Sequence, residues 1–301
     1  MKKALLAAAV LVSLEASALA QSELQWGLGQ ARDILELCNP GGARGQAAKA
    51  KVDPVQKAVL TAASARQKMQ EAAGTGMRLV DTLDQESVAV EIESTGGELC
   101  LLTKREVYPG RDRTALICDP ALGSVSPRYA ALLIAERAAE LRWNGVLPDC
   151  AERDFIVSSL MARTWLELGG GLAALPSFDG RKDEARASRL KAWRSAKLHD
   201  YARAQAAKGR PTLDGMLETN ASVQGTVLKE IRDLETKLSA ANCASEERAI
   251  ISEIEQRRAH LMILEKREWD LQGLKDKPKV FAREEDDWAK QNWRLLGAAP
   301  R

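Results

Sequence analysis

Few residues of this 301-residue chain have types and spacings that could carry chemistry. It has two histidines, His199 and His260, and five cysteines, Cys38, Cys100, Cys118, Cys150 and Cys243. The histidines fall in separate helical stretches without a partner at ligand spacing. His199 adjoins Asp200 and Tyr201, but consecutive residues of a helix do not share a face, so both histidines read as surface or packing residues. Glu136 and Glu152 could form an acid–base pair if the fold gave them one cleft. A Cys–His hydrolase is arithmetically possible but has no local context. There is no Gly-x-Ser-x-Gly elbow and no phosphate loop, and Gly169-Gly170-Gly171 follows a helical pattern where a nucleotide-binding turn would precede one. No two cysteines stand at C-x-x-C or zinc-ribbon spacing, which leaves structural bridging as the default.

The N-terminus points to an oxidising compartment. Lys2 and Lys3 precede an apolar run from Ala4 to Leu14, and Ala18-Leu19-Ala20 has the small-residue form of a signal-peptidase site. Residues 1–20 are therefore expected to be a signal peptide cleaved after Ala20, giving a periplasmic or secreted protein. The short Lys-Lys start is of bacterial type, and no cysteine follows the cleavage site as a lipoprotein would require. No later stretch approaches the roughly 20 apolar residues of a spanning helix. Outside the cell's reducing interior, five cysteines allow up to two bridges and one free thiol. The whole chain carries a net charge of +2, with both signs interleaved as in Lys229-Glu230-Ile231-Arg232-Asp233, and its clearest like-charge run, Glu284-Glu285-Asp286-Asp287, is acidic. That pattern suits solvated helix faces and argues against a nucleic-acid partner.

Periodicity and turn residues divide the rest of the chain into short elements. Leu24 to Cys38 has helical periodicity and stops at Asn39-Pro40-Gly41-Gly42. Asp53-Pro54 starts a second helix with Val55, Ala58, Val59, Ala62, Ala65 and Met69 on one stripe, ended by Gly74 and Gly76. Val88, Val90 and Ile92 alternate as a strand, Thr95-Gly96-Gly97 turns the chain, and runs at 98–108 and 114–118 add two more strands around Pro109-Gly110-Arg111-Asp112. If that second hairpin is symmetric about Pro109, Cys100 falls opposite Cys118, at a separation a bridge can span. One residue of register slip would put the two on opposite faces.

Ser126-Pro127 is an N-cap followed by proline at the first helical position. The helix behind it, with Ala130, Leu133, Ile134, Arg137, Ala138 and Leu141, is expected to be buried among neighbours. A second helix runs from about Ala151 to Leu168, and helical pattern continues from Asp183 to Lys208 before Gly209-Arg210-Pro211. Beyond Pro211 two stripes, Val227, Ile231, Leu234, Leu238 and Ile250, Ile254, Leu261, Leu264, Trp269, Leu271, flank the turn Ala241-Asn242-Cys243-Ala244-Ser245. This predicts an antiparallel, coiled-coil-like hairpin. Trp288, Trp293 and Leu296 would dock a last helix on the body.

One resemblance emerges from this order. A small β-meander, a strand ending at Cys118, the Asp119-Pro120 loop, the Ser-Pro-capped helix with Leu132-Leu133-Ile134-Ala135-Glu136, then Cys150-Ala151-Glu152-Arg153-Asp154 leading a second helix resembles the core of zincin-type metallopeptidase-like proteins. It covers residues 88–168, about a quarter of the chain. In that family the first helix carries two zinc-binding histidines and a catalytic glutamate in an H-E-x-x-H frame, and an acidic residue on the next helix often completes the site. The resemblance places the ligands at Ala135 and Ala139, the general base at Glu136 and a third ligand at Glu152, with Asp154 as its substitute. Both histidines of the frame are missing, so the resemblance implies a degenerate centre with no metal and no cofactor, in which Glu136 and Glu152 are vestigial.

Together these signals predict a mostly helical α+β protein. A small antiparallel three-stranded sheet would pack on a helical zincin-like core, with a C-terminal antiparallel helical hairpin. The expected divisions are a signal peptide at 1–20, N-terminal helices at 21–86, the core at 87–210, and the hairpin with its docking helix at 211–301. The expected function is that of an interaction module meeting an unknown protein partner through the hairpin. The alternatives are an envelope scaffold with no peptidase ancestry, whose hairpin docks a partner helix or self-associates, and a hydrolase with an unrecognised site.

Overall fold

The structure, a computed structural model, describes residues 53–72, 74–108, 111–171 and 182–296. The signal segment, the Leu24 to Cys38 helix, Cys38 and the Pro109-Gly110 turn lie outside these residues. The chain divides into two units at 51/52, and the second unit, Val52–Arg301, holds every described residue. Its main core is one cluster to which the first two helices, the sheet, the central helix pair and the last helix all contribute.

Helix α1 (Pro54–Glu71) begins as its sequence dictates, with the Asp53 carboxylate accepting from the Val55 N–H at 3.1 Å and Pro54 in the first turn. Its buried stripe is Ala58, Thr61, Ala62, Ala65 and Met69. Val55 and Val59, expected on that stripe, are exposed. The small residues sit inward because the 3₁₀ turn Pro120–Ser124 presses on the helix. A Cβ on buried Gly123 would stand 2.9 Å from the Ala58 nitrogen. The glycines at 74 and 76, expected to end the helical stretch, only interrupt it. Helix α2 (Thr75–Gln85) starts between them and buries Leu79, Val80 and Leu83. Its cap comes from far along the chain: the Glu167 carboxylate accepts from the Thr75 N–H at 2.7 Å and from its hydroxyl at 2.8 Å.

The three strands are β1 (Ala89–Ile92), β2 (Cys100–Tyr108) and β3 (Arg111–Cys118), in the order β1-β3-β2. β2 and β3 form the expected antiparallel hairpin, but β1 pairs with β3 in parallel. The sheet is therefore mixed, which corrects the expectation of an antiparallel sheet with β1 and β2 as neighbours. Burial explains the order. Ala115, Leu116, Ile117 and Cys118 are all buried, so β3 takes the middle with both edges paired, whereas the half-exposed β1 takes an edge. Cys100 faces Cys118 in register with Cα atoms 4.1 Å apart and the sulfurs at disulfide distance. Salt bridges on the same sheet link its strands, Glu91 to Arg105 at 2.9 Å and to Arg113 at 2.7 Å.

Helix α3 (Pro127–Asn144), capped by the Ser126 hydroxyl on the Tyr129 N–H, packs against α1, α2, β2 and helix α4 (Ala151–Glu167). It is buried nearly all round. The helical pattern expected from Asp183 to Lys208 is divided between two helices, α5 (Lys182–Ser195) and α6 (Leu198–Ala206). Helices α7 (Leu213–Ser239) and α8 (Ala244–Leu274) form the C-terminal hairpin, and α9 (Asp276–Gln291) returns to α4 and α6. Among the described residues no helix is long and apolar enough to cross a membrane.

Candidate functional site

Ala135 and Ala139, the positions where the resemblance expects metal ligands, are wholly buried in the main core. They let neighbouring helices come close, as small residues do where helices cross. Glu136 keeps only 2% exposure, and its carboxylate accepts a charged hydrogen bond from Arg189 Nη1 of α5 at 2.8 Å. One turn on, Glu140 is bound by Arg137 at 2.7 Å, while burial pushes its carboxyl above the usual range. Burial also raises the Tyr201 phenol, which the Arg189 charge pulls the other way. Glu136 and Arg189 thus form a charge-compensated junction between α3 and α5, held beside α6 by Tyr201.

Glu152 has a different task. Both of its carboxylate oxygens accept from the Leu213 N–H at 3.2 Å, which caps the first turn of α7. It lines a cavity of about 170 Å³ with Leu198, His199, Leu213, Asp214 and Lys275, a set that includes neither Glu136 nor the two alanines. Asp154, the proposed substitute, is held by Arg210 at 2.7 Å, and the same guanidinium binds Asp149 at 2.6 and 2.8 Å. Arg210 depresses the Asp149 carboxyl below its ordinary range. The fold therefore does not bring Glu136 and Glu152 into one cleft.

These residues do not fit a zinc ion. Two of the four positions have no donor atom, and the other two are engaged by an arginine and a helix terminus. His199 lies exposed on α6 with its ring nitrogen 2.6 Å from Arg203, and His260 lies exposed on α8. Among the described residues no group of three His, Cys, Asp or Glu side chains could hold a metal ion. Cys150 is buried at the start of α4, its thiol pushed up to about 11 by burial, whereas Cys243 is exposed at the hairpin turn and shifted downward by the Ser245 hydroxyl and the helix N–H groups.

Trp288, expected to dock the last helix, does so in a junction whose other members, Arg163, Phe281 and Glu285, sequence reading did not single out. Arg163 of α4 sits between the rings of Phe281 and Trp288, 5.3 and 5.1 Å from their centroids, and pairs with buried Glu285, which also accepts from the Ser159 hydroxyl. The Trp288 indole N–H donates to Glu167 at 3.2 Å, so the carboxylate that caps α2 also holds the last helix. The one available signal was the spacing of Phe281, Glu285 and Trp288, four and then three residues apart, which puts them on one helical face.

The hairpin has a core of its own. Val227, Ile231, Leu234 and Leu238 of α7 meet Ile250, Ile254, Leu261 and Leu264 of α8, separate from the main cluster. Polar residues occupy the root end of the same seam: the Asn220 side-chain amide donates to the Leu264 carbonyl at 2.9 Å, and Gln224 donates to Glu268 at 2.9 Å. The apolar side chains on the outside are large. Met262, Ile263 and Trp269 are 69, 66 and 76% exposed, and Ile251 is also exposed. Trp269, expected on the inner stripe, instead points outward, one residue past the Glu268 position that the seam uses. It lines an open groove of about 520 Å³ with residues 144–148 at the root of the arm.

No protein-family model, no curated protein and no solved structure matches this chain.

Proposed function

We propose that this chain is an exported, non-catalytic interaction protein that meets its partner through the α7–α8 hairpin. The observation that carries the reading is the contrast between a sealed polar junction at Glu136 and the exposed Met262, Ile263 and Trp269 on the arm. Large apolar side chains gathered on a surface are the mark of a contact site. Export is supported by the leader-like N-terminus and by the opposed Cys100 and Cys118. In this reading the zincin resemblance enters only as descent: a helix that keeps the frame of a metal site after alanines have filled it.

The test is site-specific photo-crosslinking in the intact chain, in the cell that makes it. A photoreactive residue at Ile263 or Trp269 is expected to give discrete polypeptide adducts, and one at Arg78, exposed on α2, none. Equal labelling at all three positions, or none from the arm, overturns the reading. Stoichiometric zinc in the purified protein, together with peptide turnover abolished by Glu136→Gln, would overturn its non-catalytic half.

A further inference from the structure

The outer face of α8 repeats with the spacing of a second seam. Ala244, Arg248, Ile251, Glu255, Arg258, Met262, Glu265 and Trp269 succeed one another in alternating steps of four and three residues. Ile251, Glu255, Met262 and Glu265 stand one residue after the inner-seam residues Ile250, Ile254, Leu261 and Leu264, and Arg258 and Trp269 stand one residue after Arg257 and Glu268, which bond Glu230 and Gln224 of α7. One residue is a turn of about 100°. Two seams separated by that angle are what a helix needs to touch two neighbours at the corner of a four-helix bundle. One neighbour is α7; the described residues leave the other side open, with Ile251, Met262 and Trp269 exposed.

We infer that the other neighbour is α8 of a second copy of this chain, packed antiparallel about a two-fold axis passing between Gln256 and Arg257. This rests on the reading of the hairpin as the contact surface and names its occupant. Charge complementarity selects this occupant. In that register Ile251 meets Met262 of the second copy and Ala244 meets Trp269, which makes the apolar layers. Arg248 meets Glu265, Glu255 meets Arg258, whose guanidinium also bonds Glu235 of α7 at 3.0 Å, and on the flank Glu247 meets Lys266, so every charged residue named finds an opposite charge. A two-fold interface must be complementary to itself, and this face meets that condition at each pair named. From Ala244 to Trp269 the seam is about 38 Å long at the rise of an α-helix. The groove between Trp269 and residues 144–148 lies at the end of the seam, where the second copy's hairpin turn would arrive.

The register makes the inference testable by charge exchange. In sedimentation velocity of the signal-free chain from about 1 to 200 μM, a range that covers ordinary helix-pair affinities, a concentration-dependent dimer is expected. Glu255→Arg or Arg258→Glu alone sets like charges opposite each other twice per dimer and should weaken association by about tenfold or more, and the double exchange should restore it to within about threefold. Both residues are exposed, so circular dichroism should show each variant folded. As a geometric check in a Cys243→Ser background, Ile251→Cys with Met262→Cys should form an intermolecular disulfide, and Ile251→Cys alone should not. A chain that is monomeric throughout, or a double exchange no better than the single ones, overturns the inference. If the arm still cross-links a different polypeptide in cells, only the choice of occupant has failed and the interaction reading stands.

Discussion

Helix α3 and helix α8 solve opposite problems with similar residues. Both carry alanine, glutamate and arginine. In α3 the alanines are inside, at Ala130, Ala131, Ala135, Ala138 and Ala139, and the acidic Glu136 is drawn in with them because Arg189 reaches it. In α8 the alanines are few, polar residues such as Glu268 enter the inner seam, and Met262 and Trp269 are left outside. Helix composition therefore says little about which side meets solvent. The number of neighbours decides: α3 packs against α1, α2, α4 and β2 and is reached by Arg189 of α5, which compensates its buried charge, whereas α8 has one long partner and keeps a face free.

The sharpest way to break this contrast is to rebuild the missing frame. Ala135→His with Ala139→His places two imidazoles in a close-packed core. The variant is expected to lose about 3 kcal/mol or more in urea unfolding, from overpacking and unpaired polar atoms together, and to purify without zinc. Zinc binding with unchanged stability would show that α3 faces more space than its burial indicates. Next in size is Arg189→Ala, which strands the Glu136 carboxylate. Losing one member of a buried pair costs about 3–5 kcal/mol, and because about a third of the Arg189 side chain is exposed the lower end is expected. The companion change Glu136→Leu should recover part of that loss in the same unfolding assay.

Asn220 tests the arm. Its amide nitrogen is bonded to the Leu264 carbonyl, but its oxygen is buried without a partner. Asn220→Leu should raise the thermal midpoint, by a gain on the order of 1 kcal/mol, while loosening the register of α7 on α8. Amide hydrogen exchange along α8 would detect the loosening. The smallest effects concern pH, and two carboxylates should respond with opposite signs. Glu140 has its pKa raised by burial, so the native state holds its proton more tightly than the unfolded chain. Stability from this group falls as pH rises from its unfolded value through its raised one, and Glu140→Gln should flatten that slope. Asp149 has its pKa lowered by Arg210. Its contribution is present above the unfolded carboxyl value and is lost as pH falls toward the depressed one, so Asp149→Asn should cost less than about 1 kcal/mol at neutral pH and nothing in strong acid.

Much of the scaffold was legible because its signals are local. Asp53-Pro54 and Ser126-Pro127 start helices where their caps say, and the two stripes after Pro211 pair as a hairpin. The opposition of Cys100 and Cys118 was expected from a hairpin symmetric about Pro109, but the strands pair Tyr108 with Arg111, and a register shift between Glu106 and Tyr108 is what brings the two cysteines opposite each other. Helix α2 was missed because Gly74 and Gly76 hide a start whose cap, Glu167, is 92 residues away. The parallel placement of β1 was missed because alternation along a strand reports its faces and says nothing of its neighbours. At the site, the sequence marked Glu136 and Glu152 without giving their partners, and it put Trp269 on the inner seam where a one-residue offset turns it outward.

Local signals alone were enough for the capped helix starts, the pairing of the second and third strands, the apolar seam between Val227 and Leu264, and the lack of two imidazoles in the α3 frame. The tertiary structure alone decided that Arg189, 53 residues from Glu136, would close over it, and that Glu285, 126 residues from Ser159, would anchor the last helix. The physical reason is range. Caps, turns and periodicity act between residues a few positions apart, whereas a buried charge takes whichever counter-charge the packed chain brings within hydrogen-bond reach.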